Sequence, residues 1–432
     1  MNVLPVLTRG GWTSLPFDLA RTFAGNSQLP VYECDKAKVQ KKHGRVRPLG
    51  KAKEEISFSA WRLAHALKKA DCAREPSSVL LGVGAAGFLL EHIHLFDWRH
   101  EELRLSAGMS DFYADFTRTG LAGRVAQGMA LLFLENQGYA YTARLSAEIK
   151  RQNGSTVAQG LLKSKSKRTG TTPSRAPDFI VENGKCERAL AEAKGAFLTP
   201  NATCNIKGVL KDALDQLDGW DRIINPQPLK NFAVGTFLRE ANDQFEEPSL
   251  VAFVDPEPGE EERSIEIPPD AIRRANYASW LALMGFDDVS QRLRARAGDW
   301  QRRTVPLIRL GGRSYVVAIA SIRPWTTRGR LDTELWRFID DWPHWFWGPF
   351  PDGVCVELVG LDLEVIRALG PASEQPAAVG LMSLEPYERH EIPGEVDGSR
   401  FYGSVFSDGS LLGELRIPRS HRPRLETIEV EL

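Results

Sequence analysis

The sequence predicts an α/β fold: a mixed central sheet flanked by helices, with an accessory region on each side. Three observations predict it. Short apolar runs of strand character alternate with longer amphipathic runs between residues 119 and 256. A proline- and acid-rich linker, residues 255–263, then interrupts the chain. The length of 432 residues exceeds what one domain usually holds, so two or three units are expected.

Residues 1–105 read as an N-terminal α/β accessory domain, with a helix at 58–69, an apolar strand at 79–83 and a second helical run to Trp98. The core is expected over 106–256. It opens on an amphipathic helix at 121–137, stopped by Gly138 as its C-terminal cap. Two apolar strands, 177–181 and 189–194, flank a polar stretch carrying the Asn183-Gly184 turn signal. A helix at 207–220 and strands at 232–238 and 250–254 complete it. Residues 264–432 read as an α+β or mainly β domain. Its helix spans 270–296, with Trp280, Leu281, Leu283 and Met284 as the buried stripe, and strands follow at 315–322, 354–361 and 401–417.

Composition narrows the function classes. At 42% hydrophobic and 26% charged residues, the chain is of ordinary globular type. A net charge of −1 gives no global field for nucleic acid, so such contacts must come from local basic patches. Cys34, Cys72, Cys186, Cys204 and Cys355 are dispersed without metal-ligand spacing and read as reduced cytosolic thiols. No apolar run reaches the roughly 18 residues of a membrane span, and the N-terminus lacks the layout of a secretory signal. A cytoplasmic protein with no membrane contact is expected.

Chemistry concentrates in Pro177-Asp178 and Glu192-Ala193-Lys194. Two carboxylates can ligate a hard cation, and an amine beside them can hold the attacking water of a phosphodiesterase. The spacing imposes a condition on register. If the polar stretch 182–188 is loop, Val181 pairs with Ala189 and Asp178 falls opposite Glu192. Alternation then places Leu190, Glu192 and Lys194 on one face with Asp178 and Ile180. Ala189, Ala191 and Ala193 take the other face, where their small size admits a closely packed helix. A two-residue turn at Asn183-Gly184 instead pairs Glu182 with Lys185 and leaves Asp178 out of step with Glu192.

These residues resemble the signature of the PD-(D/E)XK nuclease superfamily, which has the restriction-endonuclease-like fold. Helix, strand, hairpin, helix, strand, strand is the order that fold requires, and the resemblance spans residues 119–256. It implies that Asp178 and Glu192 bind Mg2+ (or Mn2+), with the Ala193 carbonyl as a further oxygen. It implies that Lys194 orients water and offsets transition-state charge. The family often donates a Glu from the preceding helix, where this chain has Gln127, a poorer magnesium ligand. A polar residue facing the site from the following helix corresponds to Gln216.

Lys163, Lys165, Lys167, Arg168 and Arg175 lead into Asp178 and are candidate phosphate contacts, a solvated loop being the alternative. Lys36, Lys38, Lys41, Lys42, His43, Arg45 and Arg47 form a second basic run, whose plainer reading is an exposed face. Residues 82–87 fit the dinucleotide-binding pattern, with Glu101 and Glu102 about 20 residues on. No repeated strand-helix-strand unit surrounds them, so a tight turn packed against a helix is the plainer reading. Trp336, Trp342, Trp345, Phe346 and Trp347 could stack bases, but such density reads first as a satellite core. The eight histidines show neither zinc-site spacing nor a discernible triad.

The expectation is a Mg2+-dependent deoxyribonuclease, its accessory domains choosing the DNA target or a protein partner. Bacterial restriction or phage defence is its setting by analogy alone. The other reading is a catalytically weak or inactive nuclease-like domain that binds nucleic acid or serves assembly, with Gln127 as its support. A nucleotide-dependent enzyme built on residues 82–87 is the third.

Overall fold

The computed structural model describes residues 26–46, 52–72, 95–98, 100–152, 176–243, 247–260, 265–296, 300–323, 353–369, 379–387, 390–418 and 425–432. The expected strand at 79–83, the 82–87 glycines, Arg47, the cations Lys163, Lys165, Lys167, Arg168 and Arg175, and the 336–347 aromatics lie outside these residues.

A first sheet holds seven strands: β1 (Asn26–Glu33), β2 (Glu54–Ser59), β3 (Tyr139–Ala143), β4 (Phe179–Asn183), β5 (Arg188–Phe197), β6 (Lys230–Leu238) and β7 (Leu250–Val254). Their order is β2-β1-β7-β6-β5-β4-β3. β5 runs parallel to β6 and β1 parallel to β7, whereas the other neighbours are antiparallel. Helices cover both faces, which is why β7 is an unbroken apolar run buried at every position.

On one face lie α1 (Ala60–Cys72) and α2 (Asp115–Asn136), whose Leu67, Val125 and Met129 pack with Phe179, Val181 and Ala191. On the other lie α3 (Ile206–Leu217) and α4 (Ala271–Leu283), whose Leu210, Leu214 and Ile272 share a core with Ile180 and Leu190. α2 ends as anticipated, with Gly138 at φ +90°, a conformation that favours glycine.

Three expectations need correction. The N-terminal region is not an accessory domain with its own sheet, because β1 and β2 complete the central one. An isolated pair of strands is marginal in water; joining β7 buries Leu29, Val31 and Ile56 with Phe253. The helix expected over 270–296 is two, α4 and α5 (Asp287–Ala295), since Gly285 turns the chain at φ +84°. The strand expected over 401–417 is a hairpin, described next.

A second sheet is wholly antiparallel. It contains β8 (Arg302–Leu310), β9 (Arg313–Arg323), β10 (Gly353–Asp362), β11 (His390–Val396), β12 (Ser399–Val405), β13 (Ser410–Pro418) and β14 (Glu426–Glu431), in the order β11-β12-β13-β10-β9-β8-β14. β12 and β13 are the hairpin. One sheet face packs Val316, Val359 and Leu412 into the core that holds α4. The other surrounds Tyr315, Leu358 and Phe401. α4 therefore lies between the sheets, and the Trp280 indole donates to the Gly360 carbonyl at 2.7 Å. Among the described residues no helix is long and apolar enough to cross a membrane, and Cys34, Cys72, Cys186 and Cys204 form no disulfide.

Candidate functional site

The register between β4 and β5 decides whether a site exists. Phe179 pairs with Ala191, Ile180 with Leu190 and Val181 with Ala189, which brings Asp178, just before β4, beside Glu192, whose carboxylate its amide meets. The loop is shorter than the expected 182–188, because Glu182 pairs with Arg188. Glu182 tolerates full burial there because its carboxylate meets Arg273 Nε at 2.7 Å and Arg188 Nε at 3.6 Å. The connection itself is Gly184-Lys185-Cys186-Glu187. Asn183 Oδ1 accepts from the amides of Lys185 and Glu187, each at 2.9 Å, and Cys186 adopts φ +63°. The last register pair, Glu182 with Arg188, encloses five residues, an odd number that preserves the parity a two-residue turn would have broken.

Alternation then sorts the faces. Leu190 joins the core under α3, whereas Ala189, Ala191 and Ala193 join the core under α2. Gly195 shows how closely α2 approaches: a Cβ placed there would stand 2.1 Å from the Ala122 carbonyl oxygen.

The five residues proposed from sequence form one hydrogen-bonded chain across four segments of the fold. Gln127, on α2, donates through Nε2 to Asp178 Oδ1 at 2.9 Å. Asp178 Oδ2 accepts from the Ala193 amide at 3.3 Å, and the Asp178 amide donates to Glu192 Oε2 at 3.0 Å. Glu192 Oε1 holds the Lys194 ammonium at 2.6 Å. Lys194 also donates to Gln216 Oε1, on α3, at 3.0 Å, and Gln216 is fixed in turn by the Ala176 carbonyl at 3.1 Å.

Arg144, just past β3, is the participant the sequence reading missed. It donates to Asp178 Oδ1 at 2.7 Å and to Gln127 Oε1 at 2.8 Å. Its guanidinium lies 4.6 Å from the centre of the Phe179 ring. The available signal was an arginine directly after a fully buried strand, where a charge needs a partner. Naming that partner required knowing that β3 pairs with β4.

Charge in the site is balanced: two carboxylates, one guanidinium and one ammonium. Glu192 is only 2% exposed. Burial, reinforced by the Asp178 charge, pushes its carboxyl up to about 7, against the opposing pull of Lys194. Its negative charge is thus stabilised poorly by the protein alone, and a cation bound there would compete with the proton. Among the described residues no group of three or more His, Cys, Asp or Glu side chains comes together to hold a metal. Two carboxylates still suffice for magnesium, which binds through one or two of them together with water and phosphate oxygens. The donor set therefore fits one hard divalent cation, with Arg144 as its competitor for Asp178. The basic segment 163–175 lies outside the described residues, so its distance from the site is not part of this geometry.

No protein-family model, curated protein or solved structure matches the chain.

Proposed function

We propose that this protein is a divalent-cation-dependent nuclease that hydrolyses DNA phosphodiester bonds on a restriction-endonuclease-like core. The observation that carries the reading is the chain from Gln127 through Asp178, Glu192 and Lys194 to Gln216, assembled by one strand register. Asp178 and Glu192 are the residues to hold Mg2+ (or Mn2+), which when bound supplies Lewis acidity at the phosphate and acidifies a water. Lys194, held between Glu192 and Gln216, keeps a fixed positive charge where negative charge grows in the transition state. Gln127 donates to Asp178 and orients its carboxylate, while Arg144 neutralises it until a cation takes its place. A setting in bacterial restriction or phage defence remains an analogy of organisation.

Purified protein with Mg2+ or Mn2+ is expected to degrade plasmid or linear DNA. Asp178→Ala is expected to abolish this, and Lys194→Ala to slow it on the order of 10²–10³-fold. Cleavage that survives Asp178→Ala overturns the assignment.

A second reading, a nuclease-like module that binds without cutting, is favoured by the Arg144–Asp178 ion pair at 2.7 Å and by Gln127 in place of a Glu. Its signature is DNA binding that needs no divalent cation and is indifferent to Asp178→Ala.

A further inference from the structure

We infer that the basic run at residues 36–45, joined to the start of α3, is a docking surface for the phosphate backbone of the nucleic acid presented to Lys194. This rests on the nuclease reading and specifies where its substrate is held.

The run is built to display charge. Residues Lys36–Gln40 form one short helical segment, opened by Asp35, whose Oδ1 accepts from the Ala37 amide at 2.8 Å. Its single buried residue is Val39, so Lys36, Lys38, Lys41, Lys42, His43 and Arg45 are all exposed. Elsewhere in this protein many cations meet carboxylates, buried as Arg62 with Glu135 or exposed as Lys53 with Glu33. No carboxylate among the described residues pairs with Lys36, Lys38, Lys41, Lys42 or Arg45. In a chain of net charge −1, such a concentration of free cations is a strong local field.

The run is also fixed in relation to the site. Lys207, in the first turn of α3, donates to the Gly44 carbonyl at 3.1 Å and ties the run to that helix. Between them opens a cavity of about 170 Å3, lined by Arg45, Thr203, Asn205 and Lys207. Its one acidic lining residue, Glu247, is engaged by Arg239 at 2.9 Å. The same helix carries Gln216, which binds Lys194. Nine residues of helix span roughly 13–14 Å at 1.5 Å each. That is about four base-pair rises of duplex at 3.4 Å. A chain gripped at residues 36–45 can therefore reach Lys194 within a short footprint. A lipid surface is the poorer match, since the large exposed apolar side chains among the described residues are Phe112, Phe116 and Leu229, none in this run.

The test uses full-length protein carrying Asp178→Ala, so that substrate is not consumed. Fluorescence anisotropy measures binding of labelled single-stranded DNA, duplex DNA and RNA of one length across a salt series. Adding Lys41→Ala, Lys42→Ala and Arg45→Ala is expected to weaken binding tenfold or more. If each side chain meets one phosphate, the log–log salt slope should also become shallower by about three units. The preferred nucleic acid among the three probes identifies the substrate class. Arg302→Ala with Arg309→Ala, exposed on the second sheet, is the control expected to change nothing. An unchanged affinity and slope in the triple variant overturns the inference. So does an equal loss in the control, or binding to anionic vesicles in place of nucleic acid. If the triple variant loses binding while the otherwise wild-type protein never cleaves, the docking surface stands and the nuclease reading falls. If the wild-type sequence cleaves and the triple variant does so with unchanged KM, the reverse holds.

Discussion

Glu192 and Asp178 carry like charge at close quarters, and each is restrained by a different cation. Lys194 sits on Glu192 and Arg144 on Asp178. Glu192 has a folded-state pKa of about 7, above its ordinary 4.5. A carboxyl shifted upward favours the fold when protonated, so this contribution is complete below about 4.5 and is lost as pH rises to about 7. Above that, the buried charge costs on the order of 3 kcal/mol. Glu192→Gln should therefore raise the melting temperature at pH 8, have little effect near pH 4, and eliminate Mg2+-dependent activity. Activity of the wild type should climb as pH rises through about 7, with a midpoint that falls as cation concentration increases. Arg144 permits a separate test. A charge-assisted hydrogen bond is worth about 1.5–3 kcal/mol, so Arg144→Gln should strengthen Ca2+ binding at Asp178 about tenfold in a calorimetric titration. Loss of Ca2+ binding would instead make Arg144 the group that holds Asp178 in place.

The meeting of α2 and β5 depends on small residues. Ala189, Ala191, Ala193 and Gly195 form the strip on which α2 rests, and the Gly195 position has no room for a methyl group. Gly195→Ala should force the backbone of α2 away from the sheet and destabilise by about 3 kcal/mol or more, measured by urea unfolding. It should also weaken cleavage, because α2 carries Gln127 to Asp178. At this scale much of the fold was legible. The hydrophobic period of α2, its glycine stop and the alternation of β4 and β5 are all local patterns. The place of β1 and β2 was not, since β1 finds its parallel partner β7 some two hundred residues later.

Across the whole molecule, buried polar groups tie the two sheets together. Arg273 on α4 binds Glu182 of β4 and the carbonyls of Leu381, Met382 and Leu384 at 2.7–3.2 Å. Arg273→Met would leave Glu182 with only Arg188 near it, and should cost about 3–5 kcal/mol in a thermal or chemical unfolding measurement. Nearby, Lys69 of α1 forms a buried ion pair with Asp408, which also accepts from Asn276 at 2.6 Å and from Ser410 Oγ at 2.6 Å. His65 Nε2 lies 3.1 Å from that same hydroxyl. These are triad residue types, but His65 and Ser410 are fully buried and the Ser410 hydroxyl serves Asp408, so they secure the fold. Burial, with the Lys69 charge second, lowers the His65 imidazole well below its ordinary value. An imidazole shifted downward is neutral in the fold, so its contribution is complete above about 6.5 and is lost as pH falls below it. His65→Asn should flatten this acid-side decline in melting temperature between pH 7 and 5.

The sequence by itself picked out the residues proposed to carry chemistry and the register condition under which they share a face. Asp178, Glu192 and Lys194 were legible as a candidate set because strand parity is a period of two, and the structure's odd-length turn met that condition. Gln127 and Gln216 followed from helices before and after that hairpin. Tertiary structure alone decided who neutralises whom. Arg144 reaches Asp178 through an edge-strand pairing, Lys207 meets Gly44 from a helix far along the chain, and His65 meets Ser410 across 345 positions. Periodicity records the environment of a side chain, not its partner. Partners are chosen by the packing of whole sheets and by the cost of leaving a buried charge alone.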